Sequence, residues 1–167
     1  MHRLISIALG STLLLISPSI AKAQTPPNRP SISDLEATGL VIKPSPYSVQ
    51  ETAERLTKVL EAKGLRIFTT IDHSENAAQA GLTLAATQVI LFGNPKLGTP
   101  LMQCSPSVAI DLPQKVLIWE TAEGVQLAYN NPAYLSGRHR LRGCGQEVVA
   151  QISKALNGLT DAALKAD

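Results

Sequence analysis

"KVLIWETAEGVQLAY", residues 115–129, decides the fold. Two runs rich in Val, Ile, Leu and aromatic residues, Lys115–Glu120 and Val125–Tyr129, are joined through Glu123-Gly124, which is hairpin chemistry. Strands joined by so short a link are antiparallel. A parallel pair needs a crossover of a dozen or more residues, usually a helix, and this spacing leaves no room for one. Upstream, Leu65, Ile67, Thr69 and Ile71 alternate with Arg66, Phe68 and Thr70 as a half-buried strand does. Gln88–Phe92 ("QVILF") is a further strand, ended by Gly93-Asn94-Pro95, and Leu40-Val41-Ile42 is a first strand stopped by Pro44 and Pro46.

Two long helices frame these strands. Ser48-Val49-Gln50-Glu51 has the form of a capping box, and Val49, Ala53, Leu56 and Leu60 follow at helical spacing up to Lys63-Gly64. Val148, Val149, Ile152, Leu156, Leu159 and Ala163 predict a second amphipathic helix near the C-terminus. Ser74 is placed to cap a short alanine-rich turn, Glu75–Ala80. Thr99-Pro100 and Ser105-Pro106 each set a hydroxyl before a proline, predicting two short helical turns over 99–110. The order β-α-β-β-β-β-α predicts an α+β domain: an antiparallel sheet with both long helices on one face and short helical inserts around the third strand.

Residues 1–23 read as a cleaved secretory leader. Met1-His2-Arg3 is a positive start, Leu4–Ile16 is apolar, Pro18 breaks it, and Ala21-Lys22-Ala23 sets cleavage before Gln24. The apolar run is too short for a bilayer span, so the mature chain is expected in the periplasm or outside the cell, with no membrane segment. Residues 24–38 follow as a Pro-rich tether, and 39–167 as a single domain. Of the 15 Lys and Arg residues, Arg3 and Lys22 fall in the leader, leaving 13 against 13 Asp and Glu. Neutrality argues against a nucleic-acid partner. Arg138, Arg140 and Arg142, interleaved with His139 and Leu141, read as a solvated connection before the last helix.

Chemistry-bearing residues are few. Phosphate-loop, dinucleotide-fingerprint and Gly-x-Ser-x-Gly patterns do not occur. Asp72-His73 ends a strand, where a carboxylate can orient an imidazole, although neighbours on an extended chain face opposite ways. Gly93-Asn94-Pro95 reads as a turn, its glycine suited to a left-handed backbone, and the Asn94 amide is also a candidate ligand contact. Asp72, His73 and Asn94 are therefore the candidate ligand site. A hydrolase or isomerase with His73 as general base beside Asp72 or Asn94 is one alternative. Another is soft-metal (copper) or haem binding through His73, Met102 and Cys104. No cofactor is established by the pattern, and no catalytic residue is assigned. Cys104 and Cys144, the only cysteines, suit a disulfide in an exported chain, closing a loop of about 40 residues worth about 3–4 kcal/mol. A free Cys104 thiol, as ligand or nucleophile, is the competing reading.

Several of these stretches together resemble a bacterial family, domain-of-unknown-function 302. The likeness rests on Ile71-Asp72-His73 and on Phe92-Gly93-Asn94-Pro95 with Gly98-Thr99-Pro100-Leu101-Met102. It extends to Asp111-Leu112-Pro113 leading into Val116-Leu117-Ile118, and to Tyr129-Asn130-Asn131-Pro132. It covers roughly residues 40–160. The resemblance implies a compact α+β domain like the TATA-binding-protein fold, β-α-β(4)-α, that forms a homodimer. It implies no established reaction or ligand. The expectation is an exported single-domain protein that binds a small ligand or partner near the Asp72-His73 and Asn94 strand ends.

Overall fold

A computed structural model describes residues 30–141 and 143–166. The leader, residues 24–29 of the tether, Arg142 and Asp167 lie outside the described residues. With the hairpin of the opening stretch flanked by a strand on either side, the chain builds one five-stranded antiparallel sheet in the order β1-β5-β4-β3-β2. Its strands are β1 Leu40–Ser45, β2 Arg66–Asp72, β3 Thr87–Gly93, β4 Gln114–Thr121 and β5 Gly124–Asn130. β4 and β5 are the expected hairpin, paired from Val116↔Tyr129 to Thr121↔Gly124.

The helices are α1 Ile32–Ala37, α2 Val49–Ala62, α3 His73–Gln79, α4 Pro95–Cys104, α5 Pro132–Arg138 and α6 Gln146–Leu164, with a 3-10 turn at Pro106–Ile110. In α2 the Ser48 hydroxyl accepts the Glu51 N–H, satisfying one of the free donors of the first turn. Leu56 and Leu60 of α2 and Ile152 and Leu156 of α6 bury against one sheet face, meeting Ile90, Phe92, Val116, Ile118, Leu127 and Tyr129. Each fully buried Leu or Ile stabilises the fold by about 1.5–3 kcal/mol. On the opposite face the register aligns Ile71, Val89, Leu117, Ala128 and Ile42 as one apolar row across all five strands.

Several local expectations are corrected. The tether is not extended to residue 38: Ser31 and Asp34 make a reciprocal capping box that starts α1. β1 runs through Pro44, because an edge strand has a ladder on one side only and tolerates the missing N–H. Asp72, not Ser74, caps α3. The helix expected from Pro100 starts at Pro95 instead, with the Asn94 side chain accepting the Lys96 N–H at 2.9 Å. Pro100 therefore sits inside α4. Gly93 does not adopt a positive φ, unlike Gly39, Gly64 and Gly81. It is an ordinary strand residue.

Candidate functional site

The end of β3 opens into a cavity of about 310 Å3 between the sheet, α4 and α6. Phe92, Gly93, Asn94 and Pro95 form one wall as the strand turns into the helix, and Met102 projects from α4. Leu112 and Pro113, from the segment entering β4, close another side, with Ile152 and Leu156 of α6 behind. A Cβ on Gly93 would meet the Phe68 ring at 3.5 Å and Pro113 at 3.7 Å, ordinary van der Waals contact.

The lining is apolar apart from Asn94, Thr99 and Gln114. Asn94 has a fixed orientation. Its Oδ1 must face the Lys96 N–H, since that group only donates. The Nδ2 donor is left without a protein partner among the described residues. A half-buried amide donor on an apolar wall is the arrangement by which small-molecule sites fix a carbonyl or similar acceptor.

Asp72 and His73 stand elsewhere. In the β2–β3 ladder Asp72 pairs with Gln88 at one end, while Arg66 pairs with Gly93 at the other, next to Asn94. Seven strand residues at about 3.3 Å each separate the two ends by roughly 20 Å. The expected grouping of Asp72 and His73 with Asn94 is therefore corrected: the three do not share a pocket. The reason is topological, since successive antiparallel strands end at opposite edges.

Asp72 accepts from the Ser74 hydroxyl at 2.5 Å, the Glu75 N–H at 2.9 Å and the Gln88 amide at 2.9 Å. The Ser74 bond, followed by the Glu75 bond, holds its carboxyl below the usual carboxylate range. His73 is exposed at the first turn of α3. Asp72 is a helix cap. Its bonds run to Ser74, Glu75 and Gln88, which leaves the proposed general base without its carboxylate.

Met102 shares the cavity with Asn94 and so lies at the far end of the ladder from His73. The His73–Met102–Cys104 set is likewise not assembled. Cys104 and Cys144 stand at disulfide-bonding distance, with Cα atoms 6.0 Å apart. The basic connection also differs from expectation. Asn131 caps α5 by accepting the Ala133 N–H, Arg138 ends that helix, and His139 is buried at 7% exposure.

Residues of the cavity that sequence reasoning missed include Leu65, Phe68, Ile152 and Leu156. The last two were legible only as one stripe of a core helix. Nothing in a helical stripe distinguishes a residue that fills space from one that borders it.

The profile of the family described as "Domain of unknown function DUF302" matches residues 41–159. The chain belongs to that family. A solved DUF302 structure, that of an uncharacterized conserved protein from Bacillus stearothermophilus, superposes with a TM-score of 0.67 at 20% identity. The match covers 75% of this chain and 98% of that one, and it establishes the shared α+β fold. Two further relatives carry the name of a fluoride-specific ion channel: FluC 1 of Brucella suis biovar 1 (strain 1330) and FluC 2 of Brucella melitensis biotype 1. Each is 42% identical over 113 residues, 67% of this chain. The chain spans only 44% and 42% of their respective lengths. Among the described residues of this DUF302 domain, no helix is long and apolar enough to cross a membrane.

Proposed function

We propose that this DUF302 domain is a binding module for a small, mainly apolar ligand carrying one hydrogen-bond acceptor, held in the cavity at the end of β3. One observation carries the reading. The separated stretches that mark the family, Phe92–Pro95, Gly98–Met102 and Leu112-Pro113, contribute walls to the same 310 Å3 space. Asn94 supplies the donor, and Met102 supplies an adaptable surface of the kind that accommodates varied apolar shapes. The earlier ligand-site expectation thus keeps Asn94 and gives up Asp72 and His73.

The proposal includes export to an oxidising compartment, supported by the leader-like residues 1–23 and by a cysteine pair at bonding distance. It also includes a homodimer, supported by the apolar row Ile71-Val89-Leu117-Ala128-Ile42 on the face turned from α2 and α6. Sedimentation equilibrium checks that part: a concentration-independent monomer mass overturns it. Fluoride conduction is a name given to whole proteins that this chain matches over less than half their length, and it forms no part of the proposal.

The binding test is a titration of the folded protein with anilinonaphthalene sulfonate, an apolar fluorescent probe. Saturable binding to one site is expected, weakened tenfold or more by Met102→Trp, which fills the cavity. Absence of saturable binding, or equal binding by the variant, overturns the reading.

A further inference from the structure

His139 is a buried imidazole outside the cavity, and both of its ring nitrogens are engaged. Nε2 lies 2.6 Å from Asp111 Oδ2, and Nδ1 lies 2.9 Å from the Ser107 hydroxyl. The imidazole is 5% exposed and Asp111 14%, whereas Ser107 faces solvent. The Arg138 guanidinium stands 3.6 Å from the same Asp111 oxygen.

The tautomer follows from donor chemistry. An ionised carboxylate only accepts, so in the neutral imidazole the proton sits on Nε2 and points at Asp111. Nδ1 then carries the lone pair, and the Ser107 hydroxyl must donate to it. That is the arrangement a general base needs to take a proton from a nucleophile. It is also the arrangement the sequence concealed, with Ser107 and Asp111 four residues apart and His139 a further 28 away.

Local structure explains why the three meet. The 3-10 turn Pro106–Ile110, anchored by buried Val108, brings Ser107 and Asp111 to the same side of one short turn. His139 terminates α5, its N–H bonded to the Leu135 carbonyl. The cysteine pair joins the residue before Ser105 to the loop after His139, so it tethers the two segments that supply the group.

We propose that Ser107, His139 and Asp111 form an acyl-transfer site acting on carboxylic esters. Ser107 Oγ attacks the ester carbonyl carbon while its proton passes to His139 Nδ1. The carbonyl π electrons move to oxygen, and the Ser105 hydroxyl, 3.1 Å from Ser107 Oγ, is a side-chain donor beside the reacting centre. Collapse breaks the carbon–alkoxy bond, and His139 returns the proton to the departing alcohol. Water, deprotonated by the same nitrogen, then attacks the acyl carbon; the carbon–Oγ bond breaks, His139 returns the proton to Ser107 Oγ, and the acid leaves. Ser107 and His139 are the catalytic residues. Asp111 is a positioning residue that fixes the tautomer.

The test uses the oxidised, full mature chain. A fluorophosphonate probe should form one covalent adduct, with loss of fluoride, mapped by peptide mass spectrometry to Ser107. p-Nitrophenyl acetate should be hydrolysed with a burst of one equivalent or less per chain. Ser107→Ala removes an exposed hydroxyl and should abolish both signals with an unchanged melting curve. Asp111→Asn should slow labelling by about 100-fold or more. In the same variant the downfield proton resonance expected for Nε2–H should move upfield, a change that loss of packing alone does not produce. A folded wild-type protein that leaves Ser107 unlabelled at millimolar probe, or Ser107→Ala hydrolysing the ester as fast as wild type, overturns the proposal. Neither result bears on probe binding in the cavity of β3, which has its own readout.

Discussion

Asp72 and Asn94 cap consecutive helices from opposite ends of one antiparallel ladder. Each closes the strand that precedes it and each accepts a backbone N–H of the helix that follows: Glu75 for Asp72, Lys96 for Asn94. The two residues have the same local task. Only Asn94 performs it at the rim of a cavity, which separates a structural cap from a candidate ligand contact.

The Asp72 cap carries a pH signature. Its folded carboxyl lies below the ordinary carboxylate range, because the Ser74 hydroxyl and the Glu75 N–H bond to the ionised form. A depressed carboxyl contributes stability that is present above the unfolded value of about 3.9 and is lost as pH falls through the folded one. Asp72→Ala should therefore cost about 1 kcal/mol at pH 7. The gap between wild type and variant should narrow below about pH 4. Urea denaturation of both proteins across that range checks it; a gap that widens on acidification contradicts the assignment.

Gly39 is fixed by its backbone and by its neighbour. Its φ is +91°, and a Cβ there would lie 2.3 Å from Tyr134 Cγ, the root of the ring rather than a flexible tip. Gly39→Ala should destabilise by more than 1 kcal/mol. Tyr134→Ala in the same chain should relieve the collision but leave the strain of a positive φ, of order 1 kcal/mol. A double-mutant cycle showing full additivity would contradict the contact.

Removing the cysteine pair as Cys104→Ser with Cys144→Ser should lower stability by about 3–4 kcal/mol. The measurement is denaturation of the oxidised wild type against the double variant. A thiol titration of unfolded, unreduced wild type accompanies it. Absence of reactive thiol removes Cys104 from any copper-binding set, and two reactive thiols remove the bond.

Leu156 belongs at once to the core and to the cavity wall. Leu156→Ala should cost about 2–5 kcal/mol and enlarge the space available to a ligand. Probe affinity should fall or rise with ligand size in step with that enlargement, larger probes gaining relative to smaller ones. An unchanged preference would place the bound probe elsewhere.

The fold was legible where one local signal stood alone. Ser48 had no rival as the cap of α2, and Glu123-Gly124 joined two apolar runs by a link too short for anything but a hairpin. Legibility failed where signals competed. Asn94-Pro95 and Thr99-Pro100 both offer a cap followed by a proline, and the earlier one starts α4. α5 was hidden because a seven-residue helix has too few turns to show a period. The candidate site was half legible. Its motif residues were visible as letters, but which of them meet depends on strand direction, and that placed Asp72 far from Asn94. His139 looked like part of a charged run because sequence does not reveal that a neighbouring turn supplies partners for both its nitrogens.

Once joined, Cys104 and Cys144 make a closed ring of chain that contains β4, β5 and α5. β4 and β5 are interior strands, and the remaining strands lie outside the ring, β1 against β5, and β3 followed by β2 against β4. The ring thus ties two interior strands covalently to the segments that carry Ser107 and His139, while α2, β3 and α6 share its core only through packing. Amide exchange should be slowest within this hoop and quicken outward to the edge strand β2.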